Sequence, residues 1–304
     1  MNMNTTKKYE DFEKDLRCLK ELQEIKLEYI KKRYVFINGF DMKNFLIFFG
    51  AKEKDFKKLQ YSSKNLVDDP TLEFRKSRNG RFLLNFEKNT ISRLEYQPFV
   101  LDKDEDFVRH DSATLRQFRG IEDNVQLNSV FLSLMRFQAF FLDQLEIKPR
   151  KNLNEDKKEW VSTIFHLRTI TNDKIIGEPA KEGVHSDGVE HTMTTLLDSF
   201  NMTNDSAKSQ LHSENQKNGI DFYSADKNHV VGEVQHKNFL DTLLIVDSEL
   251  KHSVSSINQY DKKIKATRDM LIFFTRRPKN INHTSYKYDS LQMHFDKPIE
   301  ACLL

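Results

Sequence analysis

The sequence predicts an α+β protein with a mainly β core, on three observations. Residues 7–33 and 126–145 carry apolar side chains at helical intervals. After Glu159 the pattern shortens to brief β-branched and aromatic runs. Among the 304 residues, 24 Phe supply the large apolar groups that a disordered chain lacks. Helices early and strands late argue an α+β or β-sandwich architecture.

In chain order, residues 7–33 contain neither Gly nor Pro and place Phe12, Leu16, Leu19, Leu22, Ile25 and Tyr29 three or four positions apart. This is an amphipathic helix whose stripe fits either a dimer contact or packing against the core. Residues 126–145 align Leu127, Val130, Leu134, Phe137, Phe141 and Leu145 on one wide face, predicted to be buried. Residues 82–86, 162–171, 191–197, 239–246 and 269–274 read as strands. The polar stretch 198–218 reads as a surface loop, and 278–304 as an appended tail.

Charge and cysteine content narrow the function classes. The 48 basic and 46 acidic residues leave a net charge of +2, which disfavours a dedicated nucleic-acid or acidic-membrane binder. The basic clusters around Lys57, Lys262 and Arg276 are interleaved with acids or aromatics and read as solvated surface. Cys18 and Cys302, near opposite termini, make neither a disulfide framework nor a cysteine metal site. No apolar run approaches the length of a membrane helix, and the first residues lack a signal-peptide pattern. A cytoplasmic protein without membrane association is expected.

Chemistry concentrates at three places. In an extended segment residues two apart share a face, so His185 and Asp187 can bind one metal ion. His252 follows the strand-like run ending at Val246 and can add a third ligand. Two His and one carboxylate on one face of an octahedron leave positions open, as in non-haem Fe(II) oxygenases. Read singly, His-x-Asp also describes a solvated turn, and a lone His a hydrogen-bonded core residue. Arg268 heads the apolar run 269–274, where burial demands a partner. A bound dicarboxylate would satisfy its planar fork; a strand end in water would do so equally.

The order His185-x-Asp187, His252, Arg268 resembles the Fe(II)/2-oxoglutarate-dependent dioxygenases. The surrounding segments 75–82, 115–118, 134–137, 166–168, 184–188, 252–254 and 268–271 resemble the bacterial branch that hydroxylates free aliphatic amino acids, typified by isoleucine 4-hydroxylases. The resemblance spans residues 70–277. It implies a double-stranded β-helix, a cupin-like jelly roll with flanking helices, in which His185, Asp187 and His252 hold Fe(II). Arg268 would clamp the distal carboxylate of 2-oxoglutarate, and dioxygen would be the other co-substrate. Succinate and carbon dioxide would leave as an aliphatic C–H is hydroxylated.

Within that superfamily, Asp187 favours hydroxylation over halogenation, because related halogenases lack this carboxylate. Phe274 stands where the nucleic-acid demethylases commonly carry a second arginine. Gly188 departs from the acidic residue usual in the isoleucine-hydroxylating relatives. The expected partner is a small molecule, a free amino acid, whose carboxylate needs a cation; Arg168, then Arg116 and Arg81, are the candidates. His166, His191 and His236 read as packing or hydrogen-bonding residues. The organisation expected is a helical extension over 1–69 packed on the core, a catalytic domain over 70–277, and a tail over 278–304. Rival readings are a dioxygenase acting on a protein side chain and a non-catalytic jelly-roll binding module.

Overall fold

The computed structural model describes residues 3–100 and 114–303. Helix α1 (Met3–Lys32) runs to its end without Gly or Pro, and β1 (Tyr34–Ile37) follows at once. Helices α2 (Gly39–Phe48) and α3 (Glu53–Gln60) come next, and Asn38 caps α2 by accepting the Phe40 and Asp41 N–H groups. Short β2 (Val67–Asp68) precedes the hairpin of β3 (Arg75–Asn85) and β4 (Thr90–Arg93). The short α4 (Asp123–Gln126) leads to α5 (Ser129–Leu142), capped by Asn128 on Val130 N–H at 2.8 Å. The remaining strands are β5 (Glu159–Thr171), β6 (His191–Phe200), β7 (Lys208–Ser213), β8 (Val230–Gln235), β9 (Thr242–Val246), β10 (Leu250–Val254), β11 (Ala266–Arg276) and β12 (Glu300–Cys302).

Two antiparallel sheets form the core. The larger runs β1-β9-β6-β11-β5-β3-β4-β12, with β2 on β3; the smaller runs β10-β7-β8. Alternation along the large sheet sorts its two faces. Ile164, Met193, Leu244, Leu271 and Phe273 join one cluster with Phe131, Leu134, Phe137 and Phe141 of α5. Each such buried side chain contributes about 1.5–3 kcal/mol relative to exposure. Phe165, Leu167, Met270, Ile272 and Phe274 face the other way, toward the small sheet. The result is a sheet-rich α+β fold, a jelly-roll core with helices on its outer face. Among the described residues no helix is long and apolar enough to cross a membrane.

Three local expectations change. The helix read over 126–145 is shorter, α5 alone, with α4 a separate turn before it, and α2 and α3 add two helices that the sequence reading did not single out. The stretch read as a loop contains β7, which lies between β10 and β8, so residues 208–213 form the middle of the small sheet. Leu211 is the one apolar residue of this strand, so no alternation marks it in sequence although Ser209 and His212 are also buried. The tail is not appended: β12 extends the large sheet beside β4, Leu303 is fully buried, and the buried Asp289 carboxylate accepts from Arg81 and Arg276. Helix α1 contributes the buried Leu22 and Tyr29 to the main cluster, while Phe12 and Leu16 of its stripe are exposed.

Candidate active site

His252 sits on β10, and the segment carrying His185 lies beside it. Their backbones form an isolated antiparallel bridge, with His185 N–H donating to His252 O at 2.9 Å and His252 N–H to His185 O at 2.8 Å. Asp187 lies two residues past His185, across from β6, where the Thr192 hydroxyl donates to its Oδ2 at 2.7 Å. His185 Nε2 is 3.5 Å from Asp187 Oδ1, and His252 Nε2 is 3.6 Å from Asp187 Oδ2. One ligand atom from each residue lies within 4.8 Å of the others. Two imidazole nitrogens and a carboxylate oxygen at that separation fit one divalent ion on one face of its coordination sphere.

Local contacts orient the ligands. His185 Nδ1 lies 2.8 Å from Gly183 O, which turns Nε2 toward Asp187. Gly183 has φ +74°, and a Cβ there would meet Ile220 O at 2.3 Å, so only glycine fits this turn. The buried Asp247 carboxylate, which the sequence reading did not single out, accepts the Asp187 N–H. Its only signal in the sequence is its place at the end of the apolar run of β9, and an acid at a strand end is ordinarily solvated. Burial, and next the Asp187 charge, push its carboxyl upward. Burial lowers His252 to about 4, leaving the ring neutral and able to ligate. For His185 burial works against charge, but the Asp187 contact, Glu182 and the Asp187 charge prevail and raise it to about 9. A cation binding there displaces that proton.

Between the sheets lies a cavity with about 110 Å³ of water-accessible space. His185, Asp187 and His252 line one side, and Arg268 of β11 enters from the large sheet. Arg268 is buried and has no ion pair among the described residues; its Nε has no hydrogen-bond partner. Burial alone lowers its guanidinium to about 10, so the charge persists at neutral pH. A buried cation without a counter-charge is costly, and a carboxylate entering the cavity removes that cost. The orphaned fork therefore fits one end of 2-oxoglutarate, as the triad fits the metal.

The three substrate-recognition candidates separate in space. Arg116 lines the same cavity, buried, with its guanidinium 4.8 Å from the Phe99 ring centre. Phe99 meets Phe165 edge-on at 5.2 Å, and Phe165 meets Phe274 at 5.5 Å, so Arg116 borders an aromatic wall. Arg168 does not reach the cavity. It alternates with Leu167 and Thr169, which do, and forks onto Asp269 on the opposite face with two 2.6 Å bonds. Arg81 lines a neighbouring cavity and is held by Asp289 at 2.8 Å. Three further histidines make hydrogen bonds: His166 with Ser63 at 2.9 Å, His191 with Tyr29 at 2.9 Å, and His236 with Thr194 at 3.1 Å.

Comparison with known proteins agrees with this geometry. Bifunctional enzyme flvA of Aspergillus flavus is 39% identical over 286 residues, covering 94% of this chain but 35% of its own length. The chain thus spans about a third of that relative. The solved structure of the Fe(II)/α-ketoglutarate-dependent dioxygenase TqaL is 38% identical, with a TM-score of 0.82 over 96% of this chain and 98% of its own. A bsmA homologue from Methylobium petroleophilum, at 13% identity and TM-score 0.68 over 84% of this chain and 93% of its own, shares the fold. The 2OG-Fe dioxygenase family matches residues 60–274, a span that contains the triad, Arg268 and the cavity between the sheets. Over most of its length the chain therefore belongs to the 2OG-Fe dioxygenase family, oxidoreductases that use Fe(II), 2-oxoglutarate and dioxygen.

Proposed function

We propose that this dioxygenase hydroxylates an aliphatic C–H of a free amino acid or similar small molecule, with His185, Asp187 and His252 holding Fe(II) and Arg268 binding 2-oxoglutarate. The observation that carries the reading is the buried Arg268 guanidinium, unpaired among the described residues, in the same cavity as the three ligand side chains. When bound, iron and 2-oxoglutarate supply oxidative decarboxylation to succinate and carbon dioxide, coupled to insertion of an oxygen atom into a C–H bond. The protein's own residues position the partners. Arg268 orients the co-substrate through its distal carboxylate, and Thr192 keeps Asp187 in place through a 2.7 Å bond.

Substrate recognition falls to the rest of the cavity. Arg116 supplies a cation for a substrate carboxylate, and Phe99, Phe165, Leu167, Met270 and Phe274 receive an apolar body and exclude water. Cation and apolar wall together favour an aliphatic amino acid over a polar one. We assign catalysis to residues 70–277, with the helical extension over 1–69 and the tail over 278–304 as supporting segments. The similarity to TqaL, an Fe(II)/α-ketoglutarate-dependent dioxygenase, over nearly its whole length supports the co-substrate assignment.

The test is incubation of the Fe(II)-loaded chain with 2-oxoglutarate, ascorbate and a pool of amino acids in air. A +16 Da amino acid with matching succinate is expected. Succinate without any modified amino acid transfers the search to other small molecules or to protein side chains. No succinate, with neither iron nor 2-oxoglutarate bound, would identify a binding module.

A further inference from the structure

The Asp247 carboxylate is buried behind the His–Asp–His cluster rather than within it. Both of its oxygens accept the Asp187 N–H, at 2.9 and 2.8 Å, and Oδ2 also takes the Val189 N–H at 3.4 Å. These donors flank Gly188, whose φ is +79°, so one carboxylate pins the turn that delivers Asp187. Its Oδ1 also lies 3.7 Å from Nδ1 of His252. That separation exceeds a hydrogen bond, and the buried Nδ1 has no partner among the described residues.

The two histidines differ in this respect. Nδ1 of His185 already has Gly183 O at 2.8 Å. A neutral imidazole that gives Nε2 to a cation carries its proton on Nδ1, and a buried N–H without an acceptor is costly. The acceptor facing the His252 ring is Asp247.

We propose that Asp247 is a positioning residue of the metal centre: it locks the backbone of one ligand, Asp187, and accepts Nδ1–H of another, His252, once a divalent ion takes Nε2. The inference rests on the metal assignment given under Proposed function. Closing the 3.7 Å gap by less than 1 Å on loading brings the pair into hydrogen-bond range. The carboxylate then fixes the tautomer and makes the imidazole a better ligand. Asp247 touches neither substrate nor co-substrate in this arrangement.

The test is calorimetric titration of the full chain with Co(II) alone, comparing wild type, Asp247→Asn, His252→Ala and the double variant. Asn keeps the size and one acceptor oxygen but not the charge. Asp247→Asn should weaken Co(II) binding about 10- to 100-fold, and by less than that in the His252→Ala background, because part of its effect runs through His252. Unchanged affinity in Asp247→Asn, or the same loss in both backgrounds, overturns the proposal. A wild type that binds no Co(II) overturns the metal assignment, and the inference with it. Should Asp247→Asn fail to fold, nitrogen-15 spectra of the wild type with Zn(II) decide: a solvent-protected His252 Nδ1–H appearing on loading supports the proposal, and its absence in the loaded protein overturns it.

Discussion

His185 and His252 trade both of their backbone hydrogen bonds, at 2.9 and 2.8 Å, with ring centres 4.4 Å apart. Backbone pairing thus sets the separation of the two imidazoles before any ion arrives, and Asp187 is delivered by the turn at Gly188. Asp187→Ala should abolish metal-dependent succinate formation while the metal-free chain still melts cooperatively. The substitution takes a partner from His185 and Thr192 but also relieves the buried Asp247, so the two effects offset and no large loss of stability is expected. Undiminished turnover would show that Asp187 is not a ligand.

Arg268 makes stability and function diverge in sign. Replacing it with Met removes a buried cation that has no counter-charge among the described residues, so the metal-free protein should melt at the same temperature or higher. The same change removes the anchor for 2-oxoglutarate. A lost buried charge pair is worth about 2–5 kcal/mol, so half-saturation should rise by about 30-fold or more. Thermal melts and succinate formation against 2-oxoglutarate concentration read the two effects separately. A destabilised variant with an unchanged 2-oxoglutarate response would reverse the assignment.

The arginines at positions 116 and 168 should behave oppositely. Arg116→Leu should raise KM for an amino acid substrate about 10- to 100-fold and leave uncoupled 2-oxoglutarate turnover in place, as loss of one charge-assisted contact implies. Arg168→Ala should leave KM unchanged and lower the melting temperature, because it strips the partner from the buried Asp269. Equal effects on KM would place Arg168 at the substrate after all.

Acid stability should depend on Asp289. Burial opposes its charge, but the Arg276 and Arg81 guanidinia outweigh this and hold it below the usual carboxylate range. A depressed folded value stabilises above the unfolded pKa, near 4, and that contribution fades as pH falls toward the folded value. Asp289→Asn should cost about 3–5 kcal/mol at neutral pH, since it removes the carboxylate paired with the buried Arg81 and the half-buried Arg276. Denaturant unfolding at pH 7 and pH 3 checks this: the gap between wild type and variant should narrow at the lower pH.

Periodicity and motif spacing were enough to find much of this protein. The 3.6-residue pattern marked α1 and α5, the aromatic runs marked β5, β6, β9 and β11, and the order of His185, Asp187, His252 and Arg268 marked the candidate centre. These features are local, or rest on residue types whose burial demands a partner. What escaped depends on which chains lie side by side. A strand as polar as β7 is recognisable only between β8 and β10, and Asp289 becomes an anchor only because the tail returns to β3 and β11. Arg168 and Arg268 look alike in sequence, yet the pleat and the pairing of β5 with β11 send one to Asp269 and the other into the cavity. Asp247 offered only its place after the apolar run of β9, where an acid is ordinarily solvated. Its role arises from two backbone N–H groups and one imidazole that tertiary packing alone brings to the same buried carboxylate.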